Sequence, residues 1–349
     1  MECHDTAEPG KSKSQIPSTK EASMHQSPLF LKMRSALLAA TVPGSVKAAA
    51  SVVIVSGAPG GTEYVEGLAK QATAWREAAQ KGGARVIEIG TAADSKGKTD
   101  SDTLRETLAA EKPDDPDALW LVLNGHGTWD GKVARFNLRG PDISDDDLAA
   151  WLKPVTRPVV IINTASSSAP FIAKLTAPGR IVITATRSGS EQNLTHFGTF
   201  LAATVTEAAS DLDTDGSISL LEAFLAASRK TVEFYKTENR LTTEHALLED
   251  NGDALGTPAE WFKGLRAVKK SDKGAAADGA AARHFHLIPP AAGKQWSSDR
   301  IKQREQLEAK LSALRETKPA MKEDDYYAQV EALLLELARL AEDAEAGTR

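Results

Sequence analysis

From Ser51 onward, short unbroken apolar runs alternate with longer stretches whose apolar residues recur at helical spacing. Ser51-Val52-Val53-Ile54-Val55-Ser56 is rich in β-branched residues and stops at Gly57, which predicts a buried strand. Tyr64 to Lys81 predicts an amphipathic helix, and Ala84 to Ile89 a second strand. A second helix over Asp102 to Glu111 and a third strand over Ala118 to Leu123 follow. Ser144 to Leu152 predicts a helix capped by Ser144, while Pro158 to Asn163 and Arg180 to Thr186 predict the fourth and fifth strands. Strand–helix alternation with continuous apolar strands predicts a three-layer α/β fold: a mainly parallel sheet with helices on both faces.

The pattern changes near residue 268. Lys269 to Gly274 and the Ala/Gly run to Ala282 predict a linker, and His284-Phe285-His286-Leu287-Ile288 a short strand within 269–295. His284 and His286 alternate, but two histidines without a third ligand suit an edge strand better than a metal. Residues 296–349 predict a charged helical hairpin, with Ile301, Leu307, Leu311 and Leu314 on one helix face and Val330, Leu333, Leu334 and Leu337 on the next. Thr317-Lys318-Pro319-Ala320 breaks the two runs. Such a hairpin packs on the main domain or on a second copy of the chain.

Ahead of the first strand, residues 1–50 divide in two. The first 32 are polar and predict disorder. From Met33 a basic start, a short apolar stretch and small residues before Ser51 resemble a secretory signal, with translation beginning at Met33. Export is the favoured expectation, and a cytoplasmic chain with a hydrophobic N-terminal helix the alternative. The formal net charge of -6 argues against a general nucleic-acid binder. No apolar run reaches the length of a transmembrane span. The single cysteine, Cys3, lies in the polar leader, which excludes disulfides, a cysteine zinc site and a buried thiol nucleophile.

The densest candidate chemistry lies at Asp211-Leu212-Asp213-Thr214-Asp215-Gly216-Ser217-Ile218-Ser219-Leu220-Leu221-Glu222. Calcium is a hard cation that a 12-residue helix–loop–helix surrounds with oxygens from positions 1, 3, 5, 7, 9 and 12. Those positions hold Asp211, Asp213, Asp215, the Ser217 carbonyl, Ser219 and Glu222, with Gly216 at the sharp turn. Phe197 to Val205 predicts the incoming helix and Leu220 to Ala227 the outgoing one. An acidic solvated turn explains Asp and Gly in general, but not this spacing. No second complete loop accompanies it, so a structural Ca2+ is expected rather than a paired sensor.

A parallel sheet gathers its chemistry beyond the carboxyl ends of its strands. The third strand runs into Asn124-Gly125-His126-Gly127-Thr128-Trp129-Asp130, and the fourth into Asn163-Thr164-Ala165-Ser166-Ser167-Ser168-Ala169. Adjacent strands bring an imidazole and a serine cluster to one rim, a base–nucleophile arrangement. The serines also suit the capping of the following helix. Gly57-Ala58-Pro59-Gly60-Gly61 lacks both phosphate-loop spacings.

This text resembles the caspase, legumain and gingipain type of cysteine peptidase over Ser51 to Val268. That family carries His-Gly after one strand and an Ala-Cys-x-Ser-Gly-like segment after the next. His126-Gly127 matches the first element. Ala165-Ser166-Ser167-Ser168-Ala169 matches the second, with Ser166 in place of the cysteine and Ala169 in place of the glycine. The resemblance implies a caspase-like fold, His126 as the base position, and the Gly127 and Ser166 N–H groups at the oxyanion site. It also implies that the rim after the fifth strand shapes a substrate pocket, with Arg187 or Glu191 contacting a substrate side chain or carboxylate; a strand-to-helix turn stabilised by Ser and Gly is the alternative. The 211–222 loop and the Thr243 to Asp253 run resemble parts of bacterial legumain-like proteins. A thiol ionises readily beside imidazole, whereas a serine needs a well-oriented base, usually backed by a carboxylate, for which Asp130 is nearest in sequence. Three functions stay open: a pseudo-peptidase that binds a peptide or protein segment, an active serine-type peptidase or amidase using Ser166 and His126, and a calcium-stabilised scaffold acting through its C-terminal helices.

Overall fold

The computed structural model describes residues 50–91, 97–274, 276–290 and 298–346. The chain divides into two units, Met1–Lys47 and Ala48–Arg349, and the described residues all fall in the second. The leader, Cys3 and the signal-like stretch up to residue 49 therefore lie outside the described residues.

Five strands form the parallel part of one sheet: β1 (Ser51–Ser56), β2 (Arg85–Ile89), β3 (Leu119–Asn124), β7 (Val159–Asn163) and β8 (Arg180–Thr184). Between β3 and β7 a small antiparallel sheet is built from β4 (Gly127–Trp129), β5 (Ala134–Phe136) and β6 (Ile143–Ser144). The large sheet ends in two antiparallel strands, β9 (Leu247–Glu249) and β10 (Thr257–Pro258), giving the order β10-β9-β8-β7-β3-β1-β2.

Crossover handedness dictates where the helices lie. The chain moves from β1 to β2 through α1 (Thr62–Lys81), then reverses direction across β1 to reach β3 through α2 (Asp100–Ala110). Right-handed connections made in opposite directions cover opposite faces. The next two, α3 (Asp145–Leu152) and α4 (Pro170–Leu175), continue in the direction of α2 and share its face. There Leu104, Leu108, Leu148, Leu152 and Phe171 pack on Val53, Val55, Leu121, Leu123 and Ile161. That leaves half of the α1 face open, and α5 (Phe197–Thr204) with α6 (Leu220–Thr237) fill it. Trp75, Phe197, Leu201 and Phe224 cover Val52, Ile54, Val122 and Ile162. The strands alternate between two dry faces, which is why they read as unbroken apolar runs.

Local signals set the helix ends. The Ser144 hydroxyl accepts the Asp147 N–H while the Asp147 carboxylate accepts the Ser144 N–H, a reciprocal cap at the start of α3. Ser219 and Glu222 make the same box at α6. The predicted strand at 284–288 is not formed. Ala282–His284 is a turn of 3-10 helix, because the Asp250 carboxylate accepts the N–H groups of Gly279 and Ala282 and curls the chain there. The Phe285 carbonyl then accepts the Leu220 N–H instead of a neighbouring strand's. Within the Ala/Gly run Asp278 is buried and bonded to the Asp250 N–H.

The C-terminal hairpin comprises α7 (Ser298–Thr317) and α8 (Glu323–Ala346), with a 3-10 turn over Lys318–Ala320 at the predicted break. Two short strands, β11 (Phe262–Lys263) and β12 (Arg266–Ala267), lie nearby. Among the described residues no helix is long and apolar enough to cross a membrane.

Candidate functional site

Adjacent parallel pairing of β3 and β7 brings the His126 and Ser166 segments to one rim. The approach is close because Gly127 has no side chain: a Cβ there would sit 2.4 Å from the Ser166 carbonyl oxygen. At this contact the Ser166 hydroxyl donates to the Gly127 carbonyl at 3.0 Å and accepts from the Gly127 N–H at 3.2 Å. Ser166 is only 4% exposed. The Gly127 N–H, expected at an oxyanion site, is spent on that hydroxyl.

His126 is held by the loop after β1. Its Nε2 lies 3.0 Å from the Pro59 carbonyl, which only accepts, so Nε2 carries the proton. The Tyr64 ring meets the imidazole edge-on at 5.0 Å. The Gly57 to Gly61 stretch is thus a clasp on the histidine. Among the described residues no hydrogen bond joins His126 to Ser166, and none joins it to a carboxylate. Asp130 points elsewhere: it caps the β4–β5 turn through the Lys132 and Val133 N–H groups and pairs with Arg135 at 2.9 Å. The Arg135 bond and these N–H donors pull its carboxyl down to about 2.

The rest of the serine run is architectural. Ser167 has φ of 55°, a left-handed conformation that costs a non-glycine residue on the order of 1 kcal/mol. Its N–H donates to the Glu191 carbonyl at 2.8 Å, and its buried hydroxyl has no protein partner. The Ser168 hydroxyl accepts the Ala185 and Thr186 N–H groups and bonds the Thr186 hydroxyl, tying the β7 end to the β8 end. Glu191 takes the Arg187 N–H and side chain and binds His245 Nδ1 at 2.6 Å, so the expected pocket residues hold one another. Glu244, next in line, accepts the His196 and Phe197 N–H groups at the start of α5 and the Tyr235 hydroxyl. Burial raises its pKa against the pull of those donors. Pattern reading missed Pro59, Tyr64 and Glu244; only the short polar runs beside them hinted at such roles.

The second candidate lies between α5 and α6. Oxygens of Asp211, Asp213 and Asp215 come within 4.8 Å of one another. Gly216 has φ of 85°, the left-handed turn expected of this position. Asp211 accepts the Asp215 and Gly216 N–H groups, and Asp215 the Ser217 N–H and hydroxyl. Glu222 is 2% exposed and wholly engaged: one oxygen takes the Leu212 and Asp213 N–H groups, the other the Ser219 N–H and hydroxyl. Burial, then the charges of Glu222 and Asp215, raise the Asp213 pKa, while Arg304 and Arg283 oppose the rise.

No protein-family model matches the chain, and no curated protein does. Solved structures give loose overlaps. The Drosophila initiator caspase Dronc is 12% identical over 58% of this chain and 79% of its own, with a TM-score of 0.39. Caspase-1 from Spodoptera frugiperda is 10% identical over 58% and 87%, at 0.41. The Geobacter sulfurreducens protein GSU0716 is 13% identical over 52% and 89%, at 0.35. These are likenesses of fold alone. The site rests on its own contacts.

Proposed function

We propose that this chain is a calcium-binding, caspase-like protein that holds a peptide or protein segment and does not cut it. The observation that carries the reading is the pair of hydrogen bonds between Ser166 and Gly127, in which the hydroxyl donates to a backbone carbonyl. A serine attacks only when a base within hydrogen-bond reach takes that proton. Here the Ser166 proton points to the Gly127 carbonyl, His126 is turned to Pro59, and among the described residues no carboxylate orients the ring. A second reading, hydrolysis by Ser166, draws on the strained Ser167 beside it, since stored backbone strain clusters at working sites.

The donor set of the 211–222 loop suits a calcium ion. Three carboxylates converge, Gly216 makes the turn, and Glu222 already reaches back to the Leu212 and Asp213 amides. To ligate through both oxygens, Glu222 would exchange those amide bonds for the ion, which favours a modest affinity. Free calcium outside the cytosol fills such sites, so the reading fits the signal-like leader.

Two measurements test it. A fluorophosphonate probe should leave the protein unlabelled, with or without calcium; a label that disappears in Ser166→Ala would establish the hydrolase instead. Calcium added to metal-stripped protein should raise the melting temperature, and Glu222→Ala should remove that dependence. An unchanged melting temperature would reject the ion.

A further inference from the structure

We infer that Asp213 is shared between the ion loop and a two-arginine latch, Arg283 on the body and Arg304 on the C-terminal hairpin, so that calcium and the docked hairpin compete. This rests on the calcium reading of the loop. Asp213 Oδ2 lies 3.6 Å from Arg304 Nη2 and 3.8 Å from Arg283 Nη2. Glu308 closes the cluster, bonding Arg283 at 2.6 Å and Arg304 at 2.9 Å. The four side chains are only 21–31% exposed, so solvent screens them less than an ordinary surface pair.

Their positions make the cluster a bridge. Arg283 belongs to the 3-10 turn that Asp250 fixes to the body, and Asp213 belongs to the loop. Arg304 and Glu308 lie one turn apart on α7. Arg283 and Glu308 also line the gap beside the hairpin. A crevice of 920 Å³ runs between it and the β11–β12 region, lined by Leu265, Ala267 and Gly279 on one side and Leu311 and Leu337 on the other. The two hairpin helices pack chiefly on each other.

Without an ion, Asp211, Asp213, Asp215 and Glu222 form a strongly negative loop that attracts both guanidinium groups. A divalent ion held by the same carboxylates cancels much of that field and places positive charge beside the arginines. The attraction that fastens α7 then weakens. By linkage, a docked hairpin lowers calcium affinity by the same factor. Pattern reading could not find this, because Arg283 and Arg304 are far from the loop in sequence.

Hydrogen exchange of the metal-stripped full chain, before and after calcium chloride, tests the latch. The expected result is faster exchange over residues 298–320 with calcium, alongside slower exchange over 211–222. In calorimetric titration, Arg304→Gln should tighten calcium binding by about tenfold, within ordinary coupling strengths, and Arg315→Gln should leave it unchanged. Removing a nearby charge would tighten binding even without a latch, so exchange decides. Protection of 211–222 with 298–320 unaltered would overturn the latch and leave calcium binding standing. No heat of calcium binding at all would overturn both.

Discussion

The rim at His126 and Ser166 and the loop at 211–222 are both polar clusters beside a packed core, but they spend their polar atoms differently. At the rim the reactive groups are paired off against uncharged backbone: hydroxyl to Gly127, imidazole to Pro59. The Ser167 hydroxyl is the exception, buried without a protein partner. In the loop several backbone amides are also satisfied, yet three carboxylates remain crowded, and among the described residues the ion pairs reach Asp213, from Arg283 and Arg304. Satisfaction by neutral partners closes a site; like charges held together keep one open to a cation. The contrast shows why a motif and its function separate. The rim brings an imidazole and a hydroxyl to one edge with each bonded to backbone, whereas the loop brings three carboxylates together.

The largest expected effect breaks the loop half of this comparison. Glu222→Ala deletes an acceptor that serves four donors, two of them on buried Ser219, and should cost about 3 kcal/mol of stability even in metal-free protein. Chemical denaturation in a chelator checks this; a cost seen only with calcium would make the residue a ligand and nothing more. Next, Asp278 isolates burial from ion binding. Its folded-state pKa is raised from 3.8 to about 7, chiefly by desolvation. The folded protein therefore binds the extra proton, and stability falls as pH rises from about 4 to about 7. Asp278→Asn should lack that fall and gain on the wild type by on the order of 2 kcal/mol at pH 8. Thermal unfolding at pH 5 and pH 8 would show it, and parallel pH curves would refute it.

Smaller effects sharpen the rim. Ser166→Ala leaves the Gly127 N–H and carbonyl without their partner and should cost about 1–2 kcal/mol. It should change no hydrolytic rate, as peptide and ester assays would report. Smallest of all, Asp130→Asn should leave probe labelling unaltered and lower stability only slightly, because this exposed carboxylate serves the β4–β5 turn and Arg135. Any rim chemistry that fell in that variant would restore Asp130 as the acid behind His126.

Much of the fold was legible because the central strands are buried on both faces and several helices carry their own start signal. Ser144 at α3 and the run from Ser51 to Ser56 are examples. The antiparallel strand at Leu247–Glu249 was not, since a three-residue stretch has no measurable period. The false strand at 284–288 has the reverse cause. Its alternation is real, but Asp250, distant in sequence, draws the turn N–H groups into a helical curl. At the rim, residue types and spacing showed which segments meet. They did not show that Ser166 bonds Gly127 or that Pro59 faces His126, because both depend on backbone approach across the sheet edge.

The central claim, an open ion loop beside a closed rim, meets its most direct test in calorimetric titration of metal-stripped full-chain protein with calcium. The account predicts one ion per chain at sub-millimolar to millimolar affinity, unchanged by Ser166→Ala and abolished by Asp211→Asn combined with Asp215→Asn. Absence of binding heat at saturating calcium, or binding that survives the double loop substitution, would contradict it.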